Sequence, residues 1–208
     1  MAIKKKTVII VAVIIAFLGI IGVGSGYTVY LRVMAPNVAV QEDVSLYVKP
    51  TFNLDSILVQ TQKLQLFKNE GSFEWWANRQ NLGNHLTAGR YVITPGMSNR
   101  AIVNLLMSGR QTPVNVTFNN IRTKADFAGR IGEQLIADSS DFVAYFDSSA
   151  YFSTLGLNKD NFMTIFIPNT YELYWNTDAE GFVKRMAKEH DNFWTQARRD
   201  KAKKIELS

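Results

Sequence analysis

The sequence predicts an α+β protein carried on a single N-terminal transmembrane helix. Three observations predict it. Thr7 to Leu31 is one uncharged run of apolar and small residues. After it, short segments of period two alternate with longer segments of period 3.6. Cap residues stand where those longer segments begin.

The apolar run is long enough to span. At ~1.5 Å per residue, about 25 residues reach past a hydrocarbon core of roughly 30 Å. Lys4, Lys5 and Lys6 precede it, and Arg32 is the first charge after it. The positive-inside rule keeps residues 1–6 in the cytoplasm as a short stub and sends everything after Arg32 to the outer face of the cytoplasmic membrane, periplasmic in a Gram-negative cell. A cleaved signal peptide shares the basic start, and Gly22, Gly24, Ser25 and Gly26 are small enough for cleavage. The run is, however, longer than an h-region of ~7–15 residues, and no A-x-A site follows. Gly19, Gly22 and Gly26 offer a small-residue helix contact.

Composition narrows the classes further. With 47% hydrophobic residues, 13 Phe, 8 Tyr and 4 Trp, the exported part can build a core by packing. There is no cysteine, hence no disulfide, thiolate nucleophile or Cys-based metal site. The net charge of +5 is concentrated at the ends: residues 32–183 hold 12 basic against 14 acidic residues, and 184–208 hold 8 against 4. That pattern leaves no nucleic-acid footprint.

The elements follow in order. Residues 32–43, with Pro36, read as an extended linker. Val44, Leu46 and Val48 alternate inward in a strand closed by Pro50. Asn53 caps a helix with face Leu54, Ile57, Leu58, Thr61 and Leu64; Gly71-Ser72 breaks it and starts a second helix through Phe73, Trp75 and Trp76. Arg90 to Thr94 is the returning strand. Ser98 caps a helix with Ile102, Leu105 and Leu106 inward and Gly109 as its C′ residue. Strand, helix, helix, strand makes a small α+β unit. Pro113 to Phe118 is a third strand, followed by an Asn119-Asn120 turn. Thr123 with Asp126 starts a helix bearing Phe127, Ile131 and Leu135, where Gly129 and Gly132 allow close packing. Asp141–Tyr145 and Ser149–Thr154 are short aromatic helices. Asn161 to Trp175, NFMTIFIPNTYELYW, reads as a hairpin-like pair or a bent strand around Pro168-Asn169-Thr170. Thr177 with Glu180 boxes the start of a long helix with stripe Phe182, Val183, Met186, Phe193 and Ala197. Nothing stops that helix before Ser208, where the chain looks cut.

Chemistry-bearing patterns are few. No dinucleotide, P-loop, zincin or nucleophile-elbow motif occurs. His85 lies between elements and His190 on the basic helix; both read as surface residues. Asp138 with Asp141, and Asp178 with Glu180, sit at helix starts, where capping explains them. Glu172 differs, because Tyr171, Tyr174 and Trp175 surround it. A carboxylate among aromatic faces suits a sugar-binding cleft; an edge-strand glutamate facing water is the plainer reading.

Several segments together resemble the YceG-like family, the endolytic murein transglycosylases. Gly89-Arg90-Tyr91-Val92-Ile93-Thr94-Pro95-Gly96 is similar to its G-x-Y-x-hydrophobic-x-P-G segment, and Leu105-Leu106-Met107-Ser108-Gly109 to the helix end that follows. Val114 to Phe118 and Phe127-Ala128-Gly129-Arg130-Ile131 match the next strand and helix. Phe166-Ile167-Pro168-Asn169-Thr170-Tyr171 is similar to F-x-P-[DN]-T-Y. Met163-Thr164 stands where much of the family reads E-G.

The resemblance implies a stub at 1–6, an anchor at 7–31, a linker at 32–43, a LysM-like β-α-α-β module at 44–112 and the first part of an α+β catalytic domain at 113–208. It implies cleavage of MurNAc–GlcNAc bonds in nascent peptidoglycan: the MurNAc 6-hydroxyl attacks the anomeric carbon, and one carboxylic acid serves as acid and then base. Substrate contacts would be Asn169, Tyr171, Glu172 and Trp175. No metal or cofactor is implied. The partners would be glycan strands, the membrane and cell-wall synthases. The family's catalytic glutamate lies in an A-S-I-[IV]-E-x-E type helix beyond the long basic helix, so it is expected beyond Ser208 and not at Glu172. The competing reading is a non-catalytic, membrane-anchored glycan-binding or scaffold protein.

Overall fold

A computed structural model describes residues 5–119, 122–148 and 150–204, with side chains from residue 13 onward. Lys4, Asn120, Ser149 and Ser208, invoked above, lie outside them. The chain divides into two units, Met1–Arg110 and Gln111–Ser208, each with its own two-stranded antiparallel sheet.

The first unit begins with α1, Lys5–Met34. Its side chains from 13 to 32 are all exposed, so no stripe of this helix is reserved for a protein core. Val13–Met34 has the length and composition to cross a membrane. Beyond it, β1 (Val44–Val48) pairs with β2 (Gly89–Ile93), Leu46 standing opposite Tyr91. The connection holds α2 (Leu54–Lys63), α3 (Glu70–Arg79) and a 3-10 turn at Leu82–Asn84; α4 (Asn99–Ser108) follows β2. The inward residues of both strands, Leu46, Val48, Tyr91 and Ile93, meet Ile57, Phe73, Ala77, Ile102, Val103 and Leu106 in one core. Asn53 caps α2, as its position before the periodic run predicts. The cap of α3 is Asn69, not the Gly71-Ser72 pair: its side chain accepts from Ser72 N, and Ser72 turns inward. Gly109 ends α4 at φ +67°, and a Cβ there would meet Thr87 at 3.1 Å.

Residues 32–43, expected as a linker, are folded into this unit. Val38 is buried and bridges to Phe67, while Pro36 bridges to Ser98. Buried Asn37 donates from Nδ2 to Asn99 Oδ1 (2.8 Å) and to the Asn69 carbonyl (2.9 Å), and its Oδ1 accepts from Asn69 N (2.9 Å). Asn99, fully buried, donates to Ser72 Oγ (3.0 Å) and to the carbonyl of Arg32 (2.7 Å). Arg32 lies in the last turn of α1, where carbonyls have no partner within the helix. Side-chain amides from the folded unit thus cap the end of α1, a tertiary contact that hydrophobic periodicity does not encode.

In the second unit, β3 (Val114–Phe118) leads through α5 (Lys124–Gly132), α6 (Ser139–Ser148) and α7 (Tyr151–Thr154) to β4 (Asn169–Leu173), its antiparallel partner. The apolar run before Pro168 is no strand. Phe162–Ile165 is a 3-10 turn that sinks Phe162, Ile165 and Phe166 into the core. Its strand-like composition comes from apolar and aromatic residues that serve a packed cluster and not a sheet. Phe127 sits in that cluster, with ring centroids of Phe166 at 4.5 Å, Phe118 at 5.0 Å, Phe146 at 5.9 Å and Phe182 at 6.1 Å. Gly132 meets the expectation of close packing, since a Cβ there would lie 2.6 Å from Ser139 N; Gly129 has open space around it.

The last helix is two. α8 (Ala179–Phe193) stops at Trp194, and α9 (Gln196–Lys204) begins anew. Phe193 is therefore exposed, not part of the buried stripe Phe182, Val183 and Met186. Its cap is Asp178, whose carboxylate accepts from Gly181 N (2.8 Å), while the Thr177 hydroxyl donates back to the Tyr174 carbonyl (2.6 Å). A carboxylate is the stronger acceptor at a helix N-terminus.

Replacing Asn99 by Ala removes the donor to the part-buried Arg32 carbonyl and one acceptor of the Asn37 amide, which keeps the Asn69 carbonyl. The expected loss is about 1–3 kcal/mol of stability, read from denaturant unfolding of the purified chain. An unchanged midpoint would show that the network carries none of the stability of this unit.

Candidate functional site

The β3–β4 sheet has two unlike faces, because alternate residues point to opposite sides. Val116, Phe118, Tyr171 and Leu173 face the aromatic core. Asn115, Thr117, Thr170 and Glu172 are exposed, with Asn115 opposite Glu172 and Thr117 opposite Thr170. The two threonine hydroxyls are 2.8 Å apart, and Gln134 completes the free side of β3: its Oε1 accepts from Thr117 N (2.9 Å) and its Nε2 donates to Thr117 O (3.2 Å). Tyr174 continues the outer row, 54% exposed. The result is a polar, hydrogen-bonding strip with one carboxylate and one exposed aromatic ring.

The four residues expected to touch substrate divide accordingly. Glu172 is on the exposed strip. Asn169 is exposed at the head of β4, where its Oδ1 accepts from Thr170 N (2.8 Å). Trp175 is half-buried and its carbonyl accepts from Ile136 N (2.8 Å). Tyr171 does something else. Its ring is buried, stacked 5.5 Å from Phe118, and its hydroxyl donates to the Ile167 carbonyl (2.6 Å). Burial, and then the Glu189 carboxylate, hold its pKa above the usual phenol value, so it stays a donor at neutral pH. Tyr171 pins the Pro168 turn to β4, and its ring is not open for stacking on a sugar.

A small hollow of about 110 Å³ opens at the end of the sheet, lined by Asn119, Arg122, Met163 and Pro168 over Phe118 and Phe166. It brings together two features separate in sequence: the Pro-Asn-Thr turn, and the Met163 that departs from the resembled pattern. A broader depression of about 610 Å³ lies between α6 and the start of α8, where Asp141, Tyr145, Asp178 and Glu180 converge. Reading caps one helix at a time finds these carboxylates but misses their meeting, because the two helix starts are far apart in sequence. Capping does explain Asp138, which accepts from Ser140 N (2.8 Å) and Asp141 N (3.0 Å); these bonds and the Ser140 hydroxyl lower its pKa. Lys184 bonds Glu180, which raises the lysine pKa. His85 is exposed, and His190 is partly covered beside Trp194. Among the described residues, no three His, Asp or Glu side chains group as metal ligands.

These features define an α+β protein with one apolar N-terminal helix and a polar sheet face held on an aromatic core. The sequence profile of the YceG-like family matches residues 46–208, and the chain belongs to that family. No curated protein matches it. Among solved structures, it is similar to a crystal structure of a yceG-like protein from Listeria monocytogenes, with 19% identity and a TM-score of 0.41; the match covers 80% of this chain and 60% of that one.

Tyr171 and Glu172 are adjacent yet differ in role, and a paired substitution separates them. Tyr171→Phe removes a buried hydrogen bond and is expected to cost about 1 kcal/mol. Glu172→Gln on the exposed face is expected to change stability by less than ~0.5 kcal/mol. Thermal unfolding of both variants checks this; a larger loss in Glu172→Gln would give that side chain a structural role.

Proposed function

We propose that this chain belongs to a membrane-anchored endolytic peptidoglycan lytic transglycosylase, an enzyme that cuts MurNAc–GlcNAc bonds in nascent strands and so ends their elongation. The observation that carries the proposal is the YceG-like match over residues 46–208. In the reaction, the bond from C1 of MurNAc to the GlcNAc oxygen breaks and a bond from C1 to the MurNAc 6-oxygen forms. The 6-hydroxyl proton passes, by way of one carboxyl group, to the departing oxygen, and no water is consumed.

The β1-α2-α3-β2 order, with β1 and β2 antiparallel, supports a LysM-like, glycan-holding role for the first unit. In the second, Asn169, Glu172 and Trp175, joined by the exposed Tyr174, are proposed as glycan contacts, with Tyr171 as their support. Glu172 is assigned a binding role and not that of the acid. A general acid works best where partial burial keeps its proton on near neutral pH, and Glu172 stands open to water. Helix α1 supports the anchor.

In membranes bearing the native gene product, mass spectrometry of treated glycan strands is expected to show new 1,6-anhydroMurNAc ends. Glu172→Gln should raise KM and leave kcat within a few-fold, whereas loss of a general acid costs ~10²–10⁴ in rate. A collapse of kcat with KM unchanged would move the acid role onto Glu172, and an absence of anhydro ends would favour a glycan-binding protein without catalysis.

Orientation has its own test. Protease added to intact spheroplasts is expected to degrade the part after Arg32, and Lys4, Lys5 and Lys6→Glu together should weaken that orientation. Protection of a C-terminal tag in sealed cells would reverse the topology.

A further inference from the structure

We propose that the first unit holds a phospholipid of the outer leaflet in a groove between the end of α1 and helices α3 and α4. The inference rests on the reading of α1 as a membrane anchor. The groove, about 340 Å³, is lined by Gly26, Val29, Tyr30, Val33 and Met34 of α1 with Trp76 of α3 and Arg100 of α4. Its wall is apolar apart from the Arg100 guanidinium and the Tyr30 hydroxyl, and none of its lining residues is acidic.

Depth selects the occupant. Helix α1 has 30 residues and so is about 45 Å long. A hydrocarbon core of ~30 Å takes about 20 of them. Counted from Lys6, the core ends near Gly26, and residues 27–34 stand in the outer headgroup layer. The groove begins at that boundary. Its apolar half continues the acyl region, and its single cation lies at headgroup level. Tyr27 and Tyr30, both exposed, sit where aromatic residues collect at a bilayer surface.

Charge complementarity points the same way. Arg100 is the guanidinium that lines the groove; Arg32 and Arg79 each stand 5.8 Å from the Trp75 ring, and Arg32 lines a separate hollow with Asn37 and Asn69. Among the described residues, Arg100 makes a long contact with Met34 Sδ (3.8 Å). A phospholipid supplies what the groove matches: a phosphate for Arg100, and a chain for Gly26, Val29 and Val33. The α1 end is fixed on its other side by Asn99, so the groove is preformed.

Native mass spectrometry tests this on the full chain, extracted in mild detergent and titrated with phosphatidylglycerol. The wild type is expected to retain one lipid. Arg100→Ala should weaken retention about fivefold, Val29→Trp should abolish it by filling the groove, and Arg110→Ala, away from the groove, should leave it unchanged. Val29 is on the exposed surface of α1, so its replacement does not disturb the core. Equal retention by all variants, or none by the wild type, overturns the lipid site. Carbonate extraction separates the two readings. A chain released from membranes overturns the anchor and the lipid site together; a chain that stays, with retention indifferent to the groove, overturns the lipid site alone.

Discussion

The first unit depends on one buried amide, Asn99. It accepts from Asn37, donates to Ser72 and reaches the carbonyl of Arg32 at the end of α1. Asn37 and Ser72 are also bonded to Asn69, so the four residues form one network, and a covered polar group left unpaired costs more than a typical hydrogen bond returns. Satisfying them all at once permits one arrangement of the α1 end, residues 36–38, the α3 start and the α4 start. The α1 helix is therefore continuous with a folded body and does not trail it on a tether.

The second unit is organised by apolar contacts instead. Eight phenylalanines and Tyr171 pack around α5, and most of their centroid distances lie between 4.5 and 6.4 Å. Edge and tilted contacts dominate, as ring quadrupoles prefer. With the inner face of the β3–β4 sheet committed to this cluster, only its other face is left open to a ligand. Core and candidate surface alternate residue by residue along β4. That is why neighbours such as Tyr171 and Glu172 answer differently to substitution.

Much of this was legible in the sequence. The apolar run, the alternation in β1 and β3, the caps at Asn53, Ser98 and Thr123, and the αL glycine at position 109 are local signals, and each acts through its own few residues. The resembled motifs pointed to the family by the same local means. The errors have a common cause. Thr177 and Gly71-Ser72 were plausible caps, but Asp178 and Asn69 were nearer to the backbone N–H groups that needed an acceptor. The run from Phe162 to Ile167 has a strand's composition, and the demand of the aromatic cluster outweighed that propensity.

By itself, the sequence determined most of the helices and strands, which residues are apolar enough to be buried, and that the N-terminal helix has the composition of a membrane span. Only the tertiary structure decided that residues 32–43 are packed and not a linker, that the Tyr171 ring faces inward, that Asp141, Asp178 and Glu180 share one hollow, and that Arg100 and Trp76 meet the end of α1. The physical reason is sequence separation. Periodicity and capping report energies exchanged within about one turn or one strand, whereas these contacts join residues dozens of positions apart, such as Asn99 and Arg32, once the cores have closed.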